Sequence, residues 1–162
     1  QMGTLSKAFA SLGGYVAGSR ELIDFLRNRA PSWIYTTGLS PADTAAALGA
    51  IELLKQEPHR LGQLHHKASY LTHALDNLIA TLPAGKSAHI KRLPTDSAIV
   101  CLQVKDAASV LHLGQQLKSK GIFVSAVRPP TVPISRLRMS VMATHTKAQL
   151  DQCVVAIKES LA

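Results

Sequence analysis

Aromatic residues are scarce in this chain: three Tyr, three Phe and one Trp, 4% of 162 residues. A surface that stacks nucleic-acid bases needs more of them. Basic runs are missing too. The 18 Lys and Arg are scattered, with no five in a row, so the net charge of +8 does not mark a nucleic-acid groove. It suits small anions such as phosphates or coenzyme A. No apolar stretch approaches the ~20 residues that span a bilayer. The first residues are not a basic stretch followed by an apolar one, so no secretory leader is expected in them. Cysteine occurs only as Cys101 and Cys153, each among apolar neighbours, and both are expected to be reduced core residues of a cytosolic protein.

What is present is a core-forming composition, 46% hydrophobic and 17% charged. The glycine-bounded GGYVAG of 13–18 reads as a short strand. Ser19 caps a helix over 20–29 with Leu22, Ile23, Phe25 and Leu26 on its apolar side, and Ala30-Pro31-Ser32 ends it. WIYTTGLSP, 33–41, reads as a loop. Ser40 caps the next helix with Pro41 at its first position, and its apolar residues predict burial on most sides. From Pro58 a helix carries Leu61, Leu64, Ala68, Leu71, Leu75 and Leu78 at spacings of three and four. His59, His65, His66 and His73 lie mostly off that stripe. No carboxylate or cysteine completes a ligand set around them, so they read as a solvated face and no metal is expected.

A break in composition at 82–89 predicts a boundary, dividing the chain into 1–85 and 86–162. Beyond it, 98–104 reads as a buried strand. Asp106 caps a helix that Gly121 ends, and 122–127 is a strand. The stretch 136–142 alternates, with Leu137, Met139 and Val141 on one face and Arg136, Arg138 and Ser140 on the other. Thr146 with Gln149 forms a capping box for a last helix carrying Leu150, Val154, Ile157 and Leu161. The second part is therefore expected to be a small α/β unit, two helices on one face of a mainly antiparallel sheet. The first part supplies helices with hardly a strand to pack on, so the chain reads as the back part of a larger protein or one that associates.

The segment GTLSKAFASLGGYVAG, 3–18, raises the question of Lys7. It is not a phosphate loop, since no Gly precedes the lysine and no Ser or Thr follows it. Its neighbours Ala8, Phe9 and Ala10 suit an amine of lowered basicity, as a Schiff base requires. Thr4, three residues earlier, offers a hydroxyl for an anion. A Schiff-base lysine beside a phosphate-binding hydroxyl is the pairing that pyridoxal phosphate needs.

These residues resemble the lysine segment of the α-oxoamine synthases, pyridoxal-phosphate enzymes of the aspartate-aminotransferase fold (fold type I). The resemblance continues through APSWIYTTGLSPADTAAALGAIELL and ends with AVRPPTVPISRLRMSVMATHT at 126–146, so it covers essentially the whole chain in order. It implies an α/β fold, the C-terminal part of a fold type I enzyme with a small C-terminal domain. It implies that Lys7 forms the Schiff base with the cofactor and then serves as acid and base at the substrate Cα. It implies that Thr4 bonds the cofactor phosphate and that Thr36 and Thr37 reach the phosphate held by the partner subunit of a homodimer. Arg138 would bind the amino-acid carboxylate, Thr131 would contact the acyl thioester, and Arg128 would help place that loop. Arg136 shares the face of Arg138 but is expected to be structural.

Within the family, RPPTVP at 128–133 looks most like the branch that joins L-alanine to a pimeloyl group carried on coenzyme A or a carrier protein. Branches using glycine or serine are the alternative, and a non-catalytic module that associates through the Leu stripe is another. The family's ring-stacking His, its pyridine-nitrogen Asp and a glycine-rich phosphate segment all precede the lysine motif. Only two residues precede Gly3 here. The chain is accordingly expected to be the C-terminal part of a longer enzyme and inactive alone.

Overall fold

The structure, a computed structural model, describes residues 1–161, with Lys86 described by its backbone alone; Ala162, the last residue of the expected second part, lies outside them. The chain divides into two compact units, Gln1–Pro58 and His59–Ala162.

In the first unit, β1 (Met2–Thr4) pairs antiparallel with β2 (Gly14–Val16), Gly3 facing Tyr15 and Thr4 facing Gly14. Helix α1 (Arg20–Arg29) begins where Ser19 Oγ accepts the Leu22 amide at 3.4 Å. The expected loop of 33–41 is partly helical. Pro31 nucleates a one-turn helix, α2 (Pro31–Ile34), because a proline at the first helical position gives up no needed donor. Helix α3 (Pro41–Gln56) starts at Ser40, whose hydroxyl accepts the Asp43 amide at 3.1 Å. Burial on most sides does not hold for α3: within it only Ala47 is buried, while Leu48, Leu53 and Leu54 are exposed.

The second unit opens with α4 (His59–Thr81), followed by the short α5 (Ala84–Ser87) and β3 (Lys91–Arg92). Then come β4 (Ile99–Gln103), α6 (Ala107–Ser119), β5 (Ser125–Val127), β6 (Arg136–Ser140) and α7 (Lys147–Leu161). The sheet is wholly antiparallel in the order β3-β4-β6-β5. Alternation along β4 and β6 turns Val100, Leu102, Leu137 and Met139 into the core. They meet Leu71, Leu75 and Leu78 of α4, Val110 and Leu117 of α6, and Cys153 and Ile157 of α7.

That packing moves the boundary. The units divide after Pro58, not at 82–88, because the Leu stripe of α4 belongs to the same core as the strands. The core-facing side of the sheet is covered by α4 together with the two helices expected there. Burial of each such leucine contributes roughly 1.5–3 kcal/mol. Polar groups close the α4–α7 seam. Tyr70 Oη donates to Asp151, Lys147 Nζ bonds the same carboxylate at 2.8 Å while lying 5.0 Å from the Tyr70 ring centre, and Lys67 Nζ donates to the Ala143 carbonyl. Arg92 grips Asp76 with two bonds, 2.7 and 3.0 Å, tying β3 to α4.

The strand expected over 122–127 is shorter. Gly121 takes a φ of +77°, and the Ile122 amide donates to the Leu117 carbonyl at 2.9 Å. Residues up to Ile122 are therefore used to finish α6, and β5 begins only at Ser125.

Candidate functional site

Lys7 stands in the loop that joins β1 to β2. The loop closes on itself: Leu5 N donates to the Gly13 carbonyl at 2.9 Å, Ser11 N to the Leu5 carbonyl at 3.0 Å, and Ala10 N to the Lys7 carbonyl at 3.0 Å. Leu5 and Ser11 are its two buried members. Ser11 Oγ donates to the Asp43 carbonyl at 2.6 Å, and Asp43 Oδ2 accepts the Ser40 hydroxyl at 2.6 Å. The loop is thus fastened to the first turn of α3.

The paired glycines have a steric reason. Gly13 has a φ of +100°, which side chains rarely adopt, and a Cβ on Gly14 would sit 2.7 Å from the Gly3 carbonyl oxygen. Ala10 also takes a positive φ, 49°. Lys7 itself is exposed, and its ammonium has no hydrogen bond or ion pair among the described residues. Thr4 Oγ1 lies 2.8 Å from Ser6 Oγ and accepts the Ser6 amide at 3.2 Å. Ser6 was not singled out in the sequence, although a hydroxyl two residues after Thr4 was the available signal. Two hydroxyls and an amine within four residues fit a phosphate and an aldehyde, two groups that pyridoxal phosphate carries on neighbouring ring carbons.

Thr36 and Thr37 lie on the exposed loop between α2 and α3. Thr36 Oγ1 accepts the Gly38 amide at 3.2 Å, and Gly38 takes a φ of +81°. No hydrogen bond joins either threonine to Thr4 or Lys7 among the described residues.

In the second unit, Arg138 projects from the outward face of β6, between Cys101 of β4 and Ser125 of β5. Its guanidinium has no partner among the described residues, whereas Arg136 Nε donates to the Ile134 carbonyl at 3.1 Å. The two arginines on one face therefore differ: one is held by its own backbone and the other is available to a carboxylate. Arg138 also lines a cavity of about 490 Å³ with Ser125, Ser140 and His145. His145 Nδ1 accepts the Met142 amide at 3.1 Å, which leaves its proton on Nε2. His145 lies within the 126–146 segment but was given no role in the sequence. Thr131 is exposed in a turn closed by its own amide on the Arg128 carbonyl at 3.1 Å, and Arg128 Nη1 reaches the Pro129 carbonyl at 3.3 Å. Among the described residues no group of His, Cys, Asp and Glu is placed to hold a metal ion, and no helix is long and apolar enough to cross a membrane.

Residues 1–157 match the family model described as aminotransferase class I and II. Among curated proteins, one from Nostoc punctiforme is 57% identical over 159 residues and one from Acaryochloris marina is 54% identical over 159 residues. Both carry the provisional name of 8-amino-7-oxononanoate synthase. The matches take in 98% of this chain but 38% and 40% of those proteins, so the chain spans about two fifths of their length. Among solved structures, a serine palmitoyltransferase variant from S. paucimobilis with a bound PLP–myriocin aldimine superposes with a TM-score of 0.85 at 26% identity. That match covers 98% of this chain and 38% of the other. An 8-amino-7-oxononanoate synthase from Francisella tularensis gives a TM-score of 0.79 at 26% identity, over 98% of this chain and 44% of that one.

Proposed function

The chain belongs to the class I and II aminotransferase family, and from that premise we propose that it is the C-terminal portion of a pyridoxal-phosphate-dependent 8-amino-7-oxononanoate synthase. Its α/β architecture is that of the fold type I pyridoxal-phosphate enzymes. The whole protein would condense L-alanine with pimeloyl-CoA, or with pimeloyl carrier protein, in biotin biosynthesis. The observation that carries this reading is the 57% identity, across 98% of the chain, to a relative of that name.

When bound, pyridoxal phosphate supplies an electron sink in conjugation with the amino acid's Cα. Lys7 Nζ is the group that anchors the cofactor's aldehyde carbon, accepts the Cα proton of L-alanine and later returns one. The hydroxyls of Thr4 and Ser6 hold the phosphate at the base of the same loop, and Thr36 and Thr37 offer theirs to the phosphate in the partner of a homodimer. Arg138 grips the alanine carboxylate with its planar fork. Thr131, on the turn set by Arg128, touches the thioester. The new carbon–carbon bond joins Cα to the acyl carbon as the carbon–sulfur bond breaks and the thiol leaves. Loss of carbon dioxide from the alanine moiety and protonation of Cα complete 8-amino-7-oxononanoate. A cytoplasmic location fits two free cysteines, one of them buried.

A second reading, an α-oxoamine synthase using another amino acid, is favoured by the higher TM-score of the serine palmitoyltransferase, 0.85 against 0.79. Assay of the full-length protein with L-alanine, glycine and L-serine, each against pimeloyl-CoA, separates the two. Product from alanine alone supports the first. Preference for glycine or serine supports the second, and failure of borohydride to trap the cofactor on Lys7 removes both.

A further inference from the structure

None of the four strands of the second unit carries an acidic residue. Helices α4, α6 and α7 all pack on the core-facing side of this sheet. On the other side the ladders set Lys91 of β3, Gln103 of β4, Arg136 of β6 and Val127 of β5 in one row, with Cys101, Arg138 and Ser125 in the next. Arg136 is half-buried there and has no carboxylate partner among the described residues. A partly desolvated cation without a counterion is costly, so such a position calls for an anion. The bond from Arg136 to the Ile134 carbonyl at 3.1 Å occupies Nε alone. Both terminal nitrogens are left to grip a carboxylate side by side.

The anion follows from the spacing. Arg136 and Arg138 stand two residues apart on one strand face, about 6.7 Å along it. Ile134 precedes Arg136 while Arg138 follows it, so the bond to the Ile134 carbonyl draws the Arg136 guanidinium away from its neighbour and widens the gap. The proposed condensation brings together two carboxylates, that of L-alanine and the one at the far end of the pimeloyl chain. With the first on Arg138, an extended seven-carbon chain joined to Cα carries the second about 10 Å away, by C–C bonds of about 1.5 Å. Cys101 beside Arg138 and Val127 beside Arg136 give the methylenes small and apolar neighbours. Lys91 is exposed and lies two strands from Arg136, about 9.5 Å, so it stays solvated. We propose that Arg136 binds the far carboxylate of the pimeloyl chain and so sets a preference for a dicarboxylic over a monocarboxylic acyl group, an assignment that rests on the synthase reading.

Steady-state kinetics of the full-length enzyme test this, with L-alanine and either pimeloyl-CoA or heptanoyl-CoA, which has the same chain length but no far carboxylate. The parent is expected to favour pimeloyl-CoA by about tenfold or more in kcat/KM, the scale of a charge-assisted bond. Arg136→Met and Arg136→Gln are each expected to remove that preference by weakening the use of pimeloyl-CoA alone. Use of heptanoyl-CoA and the KM for L-alanine stay within about threefold of the parent's, the scale of a neutral bond. Four results overturn the assignment and leave the synthase reading standing: no preference in the parent, an unchanged preference in the variants, an equal loss with both acyl groups, or failure of both variants to fold. The equal loss would put the coenzyme's phosphates on Arg136, and the failure to fold would make it structural. Absence of product from the parent with either acyl group overturns the synthase reading and the assignment together.

Discussion

Cys101 stands directly across the β4–β6 ladder from Arg138, and Ser125 flanks Arg138 on the β5 side. Opposed residues in such a ladder have Cβ atoms about 4.5–5.5 Å apart. The small thiol therefore borders the stem of the arginine assigned to the substrate carboxylate. Cys101→Phe in the full-length enzyme is expected to raise KM for the amino acid with little change in kcat, and Cys101→Ser to leave both near normal. Steady-state kinetics with varied L-alanine check it. A normal KM in the Phe variant would place the carboxylate elsewhere.

Replacing the arginine itself separates the two candidates on β6. Arg138→Lys loses the planar fork and is expected to raise KM for L-alanine by about tenfold or more, as loss of a charge-assisted bond implies. Arg136→Lys, which disturbs only the bond to the Ile134 carbonyl, is expected to change it less than threefold by the weaker scale of a neutral-acceptor bond. A reversed order of effects would exchange their roles.

Lys7→Ala in the full-length enzyme is expected to abolish turnover, since loss of the proton-transferring amine alone lowers rates by about 10²-fold or more. Cofactor binding through the hydroxyls of Thr4 and Ser6 should survive in part. Equilibrium dialysis of pyridoxal phosphate alongside the activity assay reads both. Turnover within a factor of a few of the parent would remove Lys7 from the mechanism.

The α4–α7 seam predicts an acid limb of stability. The Lys147 and Tyr70 hydrogen bonds hold the Asp151 carboxyl below its ordinary 3.8, and the Ser109 amide does the same for Asp106 at the start of α6. A depressed carboxylate stabilises the fold above its ordinary pKa, and this is lost as pH falls through the lower folded value. Lys147 is shifted upward by Asp151, so its share is intact below 10.5 and is lost only at higher pH. Urea midpoints should therefore fall below about pH 4, and Asp151→Asn should flatten that fall. An unchanged acid slope in the variant would show that the seam contributes nothing.

Leu75→Ala tests the moved boundary. Leu75 is fully buried and packs with the strand residues, so the substitution is expected to destabilise the second unit by about 2–5 kcal/mol. A loss under about 1 kcal/mol would mean that α4 is not part of that core.

Much of the local structure was legible because its chemistry is local. The caps at Ser19, Ser40 and Asp106, the Thr146–Gln149 box and the Gly121 stop each need only a few neighbouring residues, and each forms. The partner of the Leu stripe was not legible, since a helix face does not say which distant strands will cover it. Strand β1 is too short for its alternation to register. The burial expected of α3 came from its apolar residues, and within the first unit too few neighbours face them. At the site, the lysine loop announced itself by composition, whereas Ser6 and His145 acquire their surroundings only through turns, one closing the Ser6 amide on Thr4 Oγ1 and the other bringing the Met142 amide to His145 Nδ1.

The attachment of the lysine loop to α3 has a thermodynamic side. Ser11 hangs from the Asp43 carbonyl, and the Asp43 side chain is shared between the Ser40 hydroxyl and the Leu12 amide at 3.5 Å. The first turn of the helix and the shape of the loop therefore share one set of bonds. Fraying of that turn spends the same bonds that keep Lys7 in position, so the two disorder together. Anything that immobilises the lysine, a bound cofactor included, would slow amide exchange at the start of α3, and a weakened cap would be felt as a weaker grip on the cofactor.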